Sequence, residues 1–256
     1  MYKLGLFFLI SLPCAIIAQV SHPLTLSGNQ AIAQDFMAPV ANPSFISKEN
    51  LSAGLIFQNR FVPGIKQGGM GLNYMKNRGQ LGLSIWQNGT ENFNRQILEL
   101  SAGKQLSETF SMGVSGGVQN YVQGQGYGNI SRIIGGVYSQ LKPNAQFSAA
   151  AYWRTLAPNS IEKISQEMGL AANYHASENV VVTGSMALLN GGEPVMGLAL
   201  WYSYQKKIVA QVLANSSAEP LLINLSFTKA AWKPLLQYRF HSQLGSSYSI
   251  GVQWAR

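Results

Sequence analysis

The chain has 256 residues, of which 46% are hydrophobic and only 11% are charged, and its formal net charge is +8. A soluble domain usually carries about 25% charged residues, so this composition argues against a soluble protein of this size. The basic residues are spread along the chain and form no run with interleaved aromatics, which argues against nucleic-acid binding.

Residues 1–18 are predicted to be a secretory signal peptide. Lys3 precedes the apolar run 4–17, and Ala18 supplies a small residue at the expected cleavage point. A membrane-anchoring helix is the alternative, although the run is shorter than the roughly 20 residues that span a bilayer. Lipidation of Cys14 is a second alternative, for which the preceding proline is a poor match. Cleavage after Ala18 would remove the only cysteine, so the mature chain would form no disulfide.

Residues 19–49 show no clean hydrophobic period and contain Pro23, Pro39 and Pro43. They are predicted to form an irregular N-terminal segment that lies in the periplasm or plugs the domain that follows. The pattern changes at Leu51, where a period of two begins.

Alternation of apolar and polar residues dominates the rest of the chain. In residues 109–121 one face is bulky and apolar and the other is small or polar, and the same alternation recurs in 80–88, 165–175 and 246–255. This pattern is typical of strands with one face toward lipid and one toward a lumen. No later apolar run reaches the roughly 20 residues of a membrane helix, so a closed sheet is the structure that satisfies every backbone group in lipid.

Turn residues divide the chain from Leu51 to Arg256 into 14 strand-like segments. Each takes up about 15 residues, against the roughly 9–11 that a spanning strand needs. The sequence therefore predicts an all-β, transmembrane antiparallel β-barrel of about 14 strands over residues 50–256. The strand register is left open in 130–141 and 194–214, where apolar residues lie on both faces.

Aromatic residues fall near the ends of the segments and are predicted to form belts at the headgroup level. The alternative is that they form the core of a soluble β-sandwich, but the polar faces carry Gly, Ser, Asn and Gln rather than Lys and Glu, which favours the barrel. The residues predicted for the belts are Trp86, Phe93, Phe110, Tyr121, Phe147, Trp153, Tyr174, Trp201, Phe227, Trp232, Tyr248 and Trp254.

Five charged residues lie within the predicted strands: Arg95, Glu99, Arg132, Arg154 and Arg239. An arginine on the lipid face at mid-depth costs about 2–4 kcal/mol, so these side chains are predicted to point inward. Two interpretations stay open. The charges line a polar lumen that guides or holds a ligand, or they pair with one another, with Gln and Asn, or with the N-terminal segment.

No pattern in the sequence indicates catalysis. His22, His175 and His241 have no metal-ligand spacing, and the glycine-rich stretch 124–128 lacks the spacing of a phosphate loop. No nucleophile, base and orienting acid can be assembled from the pattern. The chain is therefore predicted not to be an enzyme and to use neither a metal nor a cofactor.

A short motif near the start of the predicted barrel, formed by Asn42-Pro43 and by Gln58 to Phe61, resembles a known group. It resembles outer-membrane proteins of Bacteroidetes that are related to the FadL-type fatty-acid transporters and to the PorV and PorQ proteins of type IX secretion. The stretch Leu106 to Gly113 is similar to a periplasmic turn of the same group. The motif residues are Asn42, Pro43, Gln58, Asn59, Arg60 and Phe61.

The resemblance implies a 14-stranded barrel in the outer membrane with the N-terminal segment in or at the barrel. It also implies a conduit for a small hydrophobic or polar solute, or a component that docks in type IX secretion. The alternative is a structural barrel with a closed lumen that anchors envelope partners. Expected partners are outer-membrane lipid and other envelope or type IX secretion proteins, and not nucleic acid.

Overall fold

A computed structural model describes most of the chain from Ala41 to Arg256. The predicted signal peptide, residues 19–40 and 48 of the predicted N-terminal segment, and Arg60 and Phe61 of the motif lie outside the described residues. The described ranges are 41–47, 49–59, 65–90, 93–123, 129–156, 165–190, 192–205, 207–217 and 219–256.

The chain forms one closed antiparallel barrel of 14 strands, which confirms the predicted fold class. Each strand pairs with its neighbours in sequence, and β1 pairs with β14 to close the ring. The strands are β1 Leu51–Asn59, β2 Lys66–Lys76, β3 Gly79–Gly89, β4 Phe93–Gln105, β5 Phe110–Gln123, β6 Ile130–Leu141, β7 Phe147–Leu156, β8 Ser165–His175, β9 Val180–Leu189, β10 Val195–Tyr204, β11 Ile208–Asn215, β12 Leu221–Phe227, β13 Trp232–His241 and β14 Gly245–Ala255.

The two ends of the barrel differ in their connections. At the end where Leu51 and Arg256 hydrogen-bond to each other through their backbones, here called the Leu51 end, the strands are joined by 2 to 5 residues. At the opposite end, called the Asn59 end, the connections have 3 to 8 residues. Within the described residues, no helix is both long and apolar enough to cross a membrane.

Alternation along each strand separates an apolar outer face from a small or polar inner face. In β14, Tyr248 and Ile250 are exposed on the outside whereas Ser249 and Gln253 are buried. The same division holds in β3, where Leu81 is exposed and Trp86 is fully buried. Because side chains alternate along a strand, the buried residues of every strand face the enclosed interior.

The structure fixes the register that the sequence left open. In β6, Arg132 and Gln140 face inward, so Ile134 and Tyr138, which share their parity, are buried inside as well. In β11 the buried Gln211 brings Leu213 to the inner face in the same way. Polar residues therefore set the register, and apolar residues on both faces are a real property of these strands.

The predicted aromatic belts are partly wrong. Trp232 and Trp254 pair in register on the outer face near the Leu51 end, as a belt requires. Trp86, Tyr121 and Trp201 lie on the inner face instead, and so does Phe93, whose ring centroid is 6.1 Å from that of Tyr121. Their position near strand ends misled the prediction, because the parity within the strand decides the side.

Candidate functional site

The interior of the barrel is organised along β4. Arg95, Glu99 and Gly103 all face inward and are spaced by four residues, or about 13 Å at the usual rise of a strand. Each of them belongs to a different group of interior residues. These groups are described in turn from the Leu51 end to the Asn59 end.

The first group holds the segment Ala41–Ser47 against the inner wall at the Leu51 end. The Gln80 side chain donates hydrogen bonds to the backbone oxygens of Pro43, at 3.0 Å, and Phe45, at 2.8 Å. Its amide oxygen accepts a bond of 3.0 Å from the backbone N–H of Ser47. A single glutamine on β3 thus satisfies three backbone groups of the segment.

Two inward-facing glycines form the seat for Pro43. A Cβ on Gly103 would lie 1.7 Å from the Pro43 carbonyl oxygen, and a Cβ on Gly113 would lie 2.4 Å from the Pro43 carbonyl carbon. Beside them, the Ser111 hydroxyl donates a 2.6 Å hydrogen bond to the backbone oxygen of Ser44. Asn42 is buried and accepts hydrogen bonds from the Ser44 backbone and hydroxyl. The contact is therefore close and polar, and it depends on the absence of side chains at two wall positions.

The other half of the sequence motif lies far from this seat. Gln58 is buried inside β1 and donates a 3.1 Å hydrogen bond to the Ser247 hydroxyl, while the exposed Asn59 accepts one of 2.6 Å from the same hydroxyl through its backbone oxygen. Both are near the Asn59 end, whereas Asn42 and Pro43 are near the Leu51 end. The structure therefore does not bring the motif residues together.

The second group is an ion pair across the interior. The Arg154 guanidinium on β7 donates a 2.6 Å hydrogen bond to the Glu99 carboxylate on β4, and their side chains are 4% and 0% exposed. The bond passes over the two intervening strands at positions that carry glycine, Gly117 and Gly136. On the far side of Arg154, its register partner Glu167 accepts a hydrogen bond from the hydroxyl of Tyr152.

The third group combines two arginines with aromatic rings. Arg95 lies 5.9 Å from the centroid of the Trp86 ring and 5.8 Å from that of Tyr121, and Arg132 lies 5.3 Å from the Tyr121 centroid. Arg95 also donates a 2.7 Å hydrogen bond to the Gln119 side chain. Stacking of this kind suits the planar, weakly hydrated guanidinium group.

The remaining predicted residue, Arg239, lies on the opposite side of the barrel. It donates a 2.8 Å hydrogen bond to Gln237 and approaches the Glu219 carboxylate at 3.5 Å. All five predicted charges thus lie inside, and Arg95, Arg154 and Arg239 have polar or charged protein partners. These contacts favour the interpretation that the charges pair with protein groups, while a ligand-holding role stays a prediction.

An apolar patch covers the inner wall from β6 to β12. The patch consists of buried aliphatic and tyrosine side chains with Trp201 packed against them. Tyr138 and Tyr152 stack with ring centroids 6.0 Å apart, and the Tyr152 ring covers Gly169, where a Cβ would lie 2.2 Å from Cε1. The buried members are Tyr138, Ala150, Tyr152, Ala171, Ala199, Leu213 and Leu222.

The interior is positively charged. Among the described residues, four arginines and two glutamates are buried, and no group of three or more His, Cys, Asp or Glu side chains is placed to hold a metal ion. Some donors are turned inward without a hydrogen-bond partner in the described part of the chain, namely the Trp86 indole and the Gln119 amide. The arrangement can bind and exclude solutes by charge and polarity.

The sequence analysis missed several interior residues. Glu167, Gln119 and Trp86 share the parity of small or polar inward positions in their strands, and this signal could have identified them. Tyr138 and Tyr152 lie in strands with apolar residues on both faces, so parity alone gave no answer there.

Comparison with solved structures places the fold among outer-membrane-type channels. The toluene transporter TbuX of Ralstonia pickettii is 10% identical over 85% of this chain and 93% of that chain, with a TM-score of 0.63. The monoaromatic hydrocarbon channel CymD is 12% identical over 90% and 96%, with a TM-score of 0.64. A FadL homologue from Pseudomonas aeruginosa is 10% identical over 86% and 94%, with a TM-score of 0.53. No protein-family model and no curated protein matches the sequence.

These identities are low, so the likeness concerns the fold. The chain shares the fold of a closed 14-strand barrel with these transporters and channels, which is the fold that the resemblance of its motif implied. A Bacteroidetes origin and a relation to PorV stay predictions.

The seat for Pro43 can be tested by filling it. Gly113→Leu should displace the segment 41–47, because its side chain would occupy the place of Pro43, and should leave the barrel folded. In a Cys14→Ser background, a cysteine introduced at Ser44 should then react with thiol reagents many times faster than the same cysteine in a barrel that keeps Gly113. The matched control is Gly116→Leu on the same strand, where a Cβ meets nothing within 4 Å. Equal labelling of both variants would show that the seat does not hold the segment.

The buried ion pair can be tested by removing one partner. Arg154→Gln should lower the free energy of unfolding by about 3–5 kcal/mol, since it removes the counter-charge of a buried carboxylate. Urea unfolding in detergent micelles measures the change. The double variant Glu99→Gln with Arg154→Gln should lose clearly less stability, because neither member of the pair is left buried without its counter-charge. If the double variant were as unstable as the single one, the pairing would not be the cause.

Proposed function

We propose that this chain is a non-enzymatic conduit of the outer membrane for small hydrophobic solutes. The N-terminal segment would close the Leu51 end, and this end would face the periplasm. An even number of strands and short turns at the end that carries both termini are typical of outer-membrane barrels in this orientation.

The apolar outer face supports a place in the membrane. Phe57, Ile133 and Ile250 are 70%, 68% and 67% exposed on the outside of the barrel. Exposure of so many large apolar side chains around a closed ring would drive association in water, whereas in lipid it satisfies the surface.

The apolar patch of the inner wall is the observation that carries the proposed solute class. The interior of an outer-membrane barrel is ordinarily polar, and here Ala, Leu, Tyr and Trp side chains from β6 to β12 form an apolar cluster among the polar residues of that wall. The small side chains of Ala150, Ala171 and Ala199 are buried in this cluster beside the rings. An apolar or aromatic solute would therefore find a favourable surface on this side of the interior.

The solved structures agree with this solute class. TbuX is described as a toluene transporter and CymD as a monoaromatic hydrocarbon channel. The match to this chain covers 93% of TbuX and 96% of CymD. A barrel of eight strands is filled by its own side chains, whereas 16 to 18 strands leave an aqueous channel. Fourteen strands are enough to enclose a solute path together with a docked segment.

An anchoring barrel with a closed lumen is the second candidate. The ion pair between Glu99 and Arg154 supports it, because that pair crosses the interior and occupies space inside. An association with type IX secretion proteins stays a prediction from the resemblance of the Asn42-Pro43 motif.

The solute path can be tested by narrowing it at the apolar patch. Ala171→Phe should reduce uptake of the apolar dye N-phenyl-1-naphthylamine several-fold in cells that carry the barrel, because Ala171 is buried in the patch. The matched control is Ala172→Phe, one residue along β8 on the exposed outer face, which should leave uptake unchanged. Equal dye uptake by cells with and without the wild-type barrel would favour the anchoring barrel.

The membrane placement can be tested with arginine at two depths of one strand. Ile250→Arg, at the middle of the outer face of β14, should destabilise the barrel in lipid by about 2–4 kcal/mol, whereas Ser246→Arg near the strand end should cost about 0–1 kcal/mol. Urea unfolding from lipid vesicles measures both. Equal costs at the two depths would contradict a bilayer around this face.

A further inference from the structure

Two lysines lie on the outer face of the barrel at the Leu51 end. Lys76 ends the outward row of β2, and Lys104 lies at the same end of β4 on the outward parity of Leu98 and Leu100. Both side chains are exposed. Because a lysine on a lipid-facing strand is unfavourable away from the headgroups, their position calls for a polar environment at this level.

The register places the two lysines on either side of a glycine. Gly79 on β3 pairs with Lys76 on one side and with Lys104 on the other. Adjacent strands lie about 4.8 Å apart, so the two lysine backbones are about 10 Å apart with no side chain between them. Flexible lysine side chains of this separation can converge on one anionic group above Gly79.

The rows next to the lysines change from polar to apolar toward the middle of the barrel. Tyr74 and Ala102 flank Leu81 in the following row, and Leu72 and Leu100 flank Leu83 in the next. Leu81 is 61% exposed on the outside, directly in line with Gly79 along β3. This order of cations, then an aromatic ring, then leucines matches the order of headgroup, interface and acyl chain in a lipid.

Neither lysine forms an ion pair within 4.0 Å among the described residues. The carboxylates described at this end are Glu49, Glu108 and Glu178, which lie before β1 and in the turns after β4 and β8. Further exposed cations at the same end are Arg78, Lys142, Lys207, Lys229 and Arg256. Cations therefore outnumber carboxylates among the described residues at this end of the barrel, which favours anions there.

We propose that Lys76 and Lys104 bind the headgroup of an anionic glycerophospholipid in the periplasmic leaflet, with an acyl chain along Leu81 and Leu83. The inference rests on the membrane placement proposed above, but not on transport. A phospholipid is the occupant because the Leu51 end faces the leaflet that phospholipids form, and the apolar rows above the lysines take an acyl chain rather than a soluble anion.

Native mass spectrometry of the purified barrel tests the site, with phosphatidylglycerol added in detergent. The wild type should retain phosphatidylglycerol in preference to phosphatidylethanolamine. The variant Lys76→Gln with Lys104→Gln should bind it about 30-fold more weakly, since a lysine near an anionic surface contributes about a five-fold factor. Thermal unfolding of the two proteins should show the same difference in stabilisation by this lipid.

The matched control is Lys207→Gln with Lys229→Gln, which removes the same charge from turns at the same end. It should keep most of the affinity, as should Lys66→Gln at the Asn59 end of β2. Equal weakening in both double variants, or unchanged binding in Lys76→Gln with Lys104→Gln, would overturn the site. Dye uptake should be the same in wild type and variant, so a failed conduit and a failed lipid site give different results.

Discussion

Closure of the hydrogen-bonded ring is the constraint on which the rest of the molecule depends. Every strand is paired on both sides, and the last pairing, between β1 and β14, leaves no open edge. In lipid an unpaired backbone group costs several kcal/mol, so a sheet is stable there only when it closes. Closure also forces each strand to have one face inside and one outside. The interior groups described above follow from that division, because a charge excluded from the outer face has no other place to lie.

Once the charges are inside, their pairing decides how the interior is arranged. Burial of an ion requires a partner, and Glu99 finds Arg154 three strands away, with glycine as the register partner of each, Gly117 for Glu99 and Gly136 for Arg154. Arginines in the third group rest on the rings of Trp86 and Tyr121. The apolar patch begins beside the ion pair, where Tyr152 hydrogen-bonds to Glu167, and extends to β12.

Alternation and the cost of charge in lipid were enough to predict the strands and the inward side of Arg95, Glu99, Arg132, Arg154 and Arg239, although Glu167 was missed. The sequence was ambiguous in 130–141 and 194–214 because the apolar patch lies there, so that Ile134 and Leu213 are apolar but face inward. The seat for Pro43 could not be predicted, since it depends on the register that brings Gly103, Gly113 and Gln80 together. Glycine in a strand is otherwise an unspecific signal.

The bond between Glu99 and Arg154 is a chord across the circular cross-section of the barrel. It separates a small sector beside β5 and β6 from a large sector bounded by β8 to β14 and β1 to β3. The pair therefore divides the cross-section unequally, and the large sector is bordered in part by Leu213, Leu222 and Trp201. A molecule in the lumen would lie off the axis, against one wall.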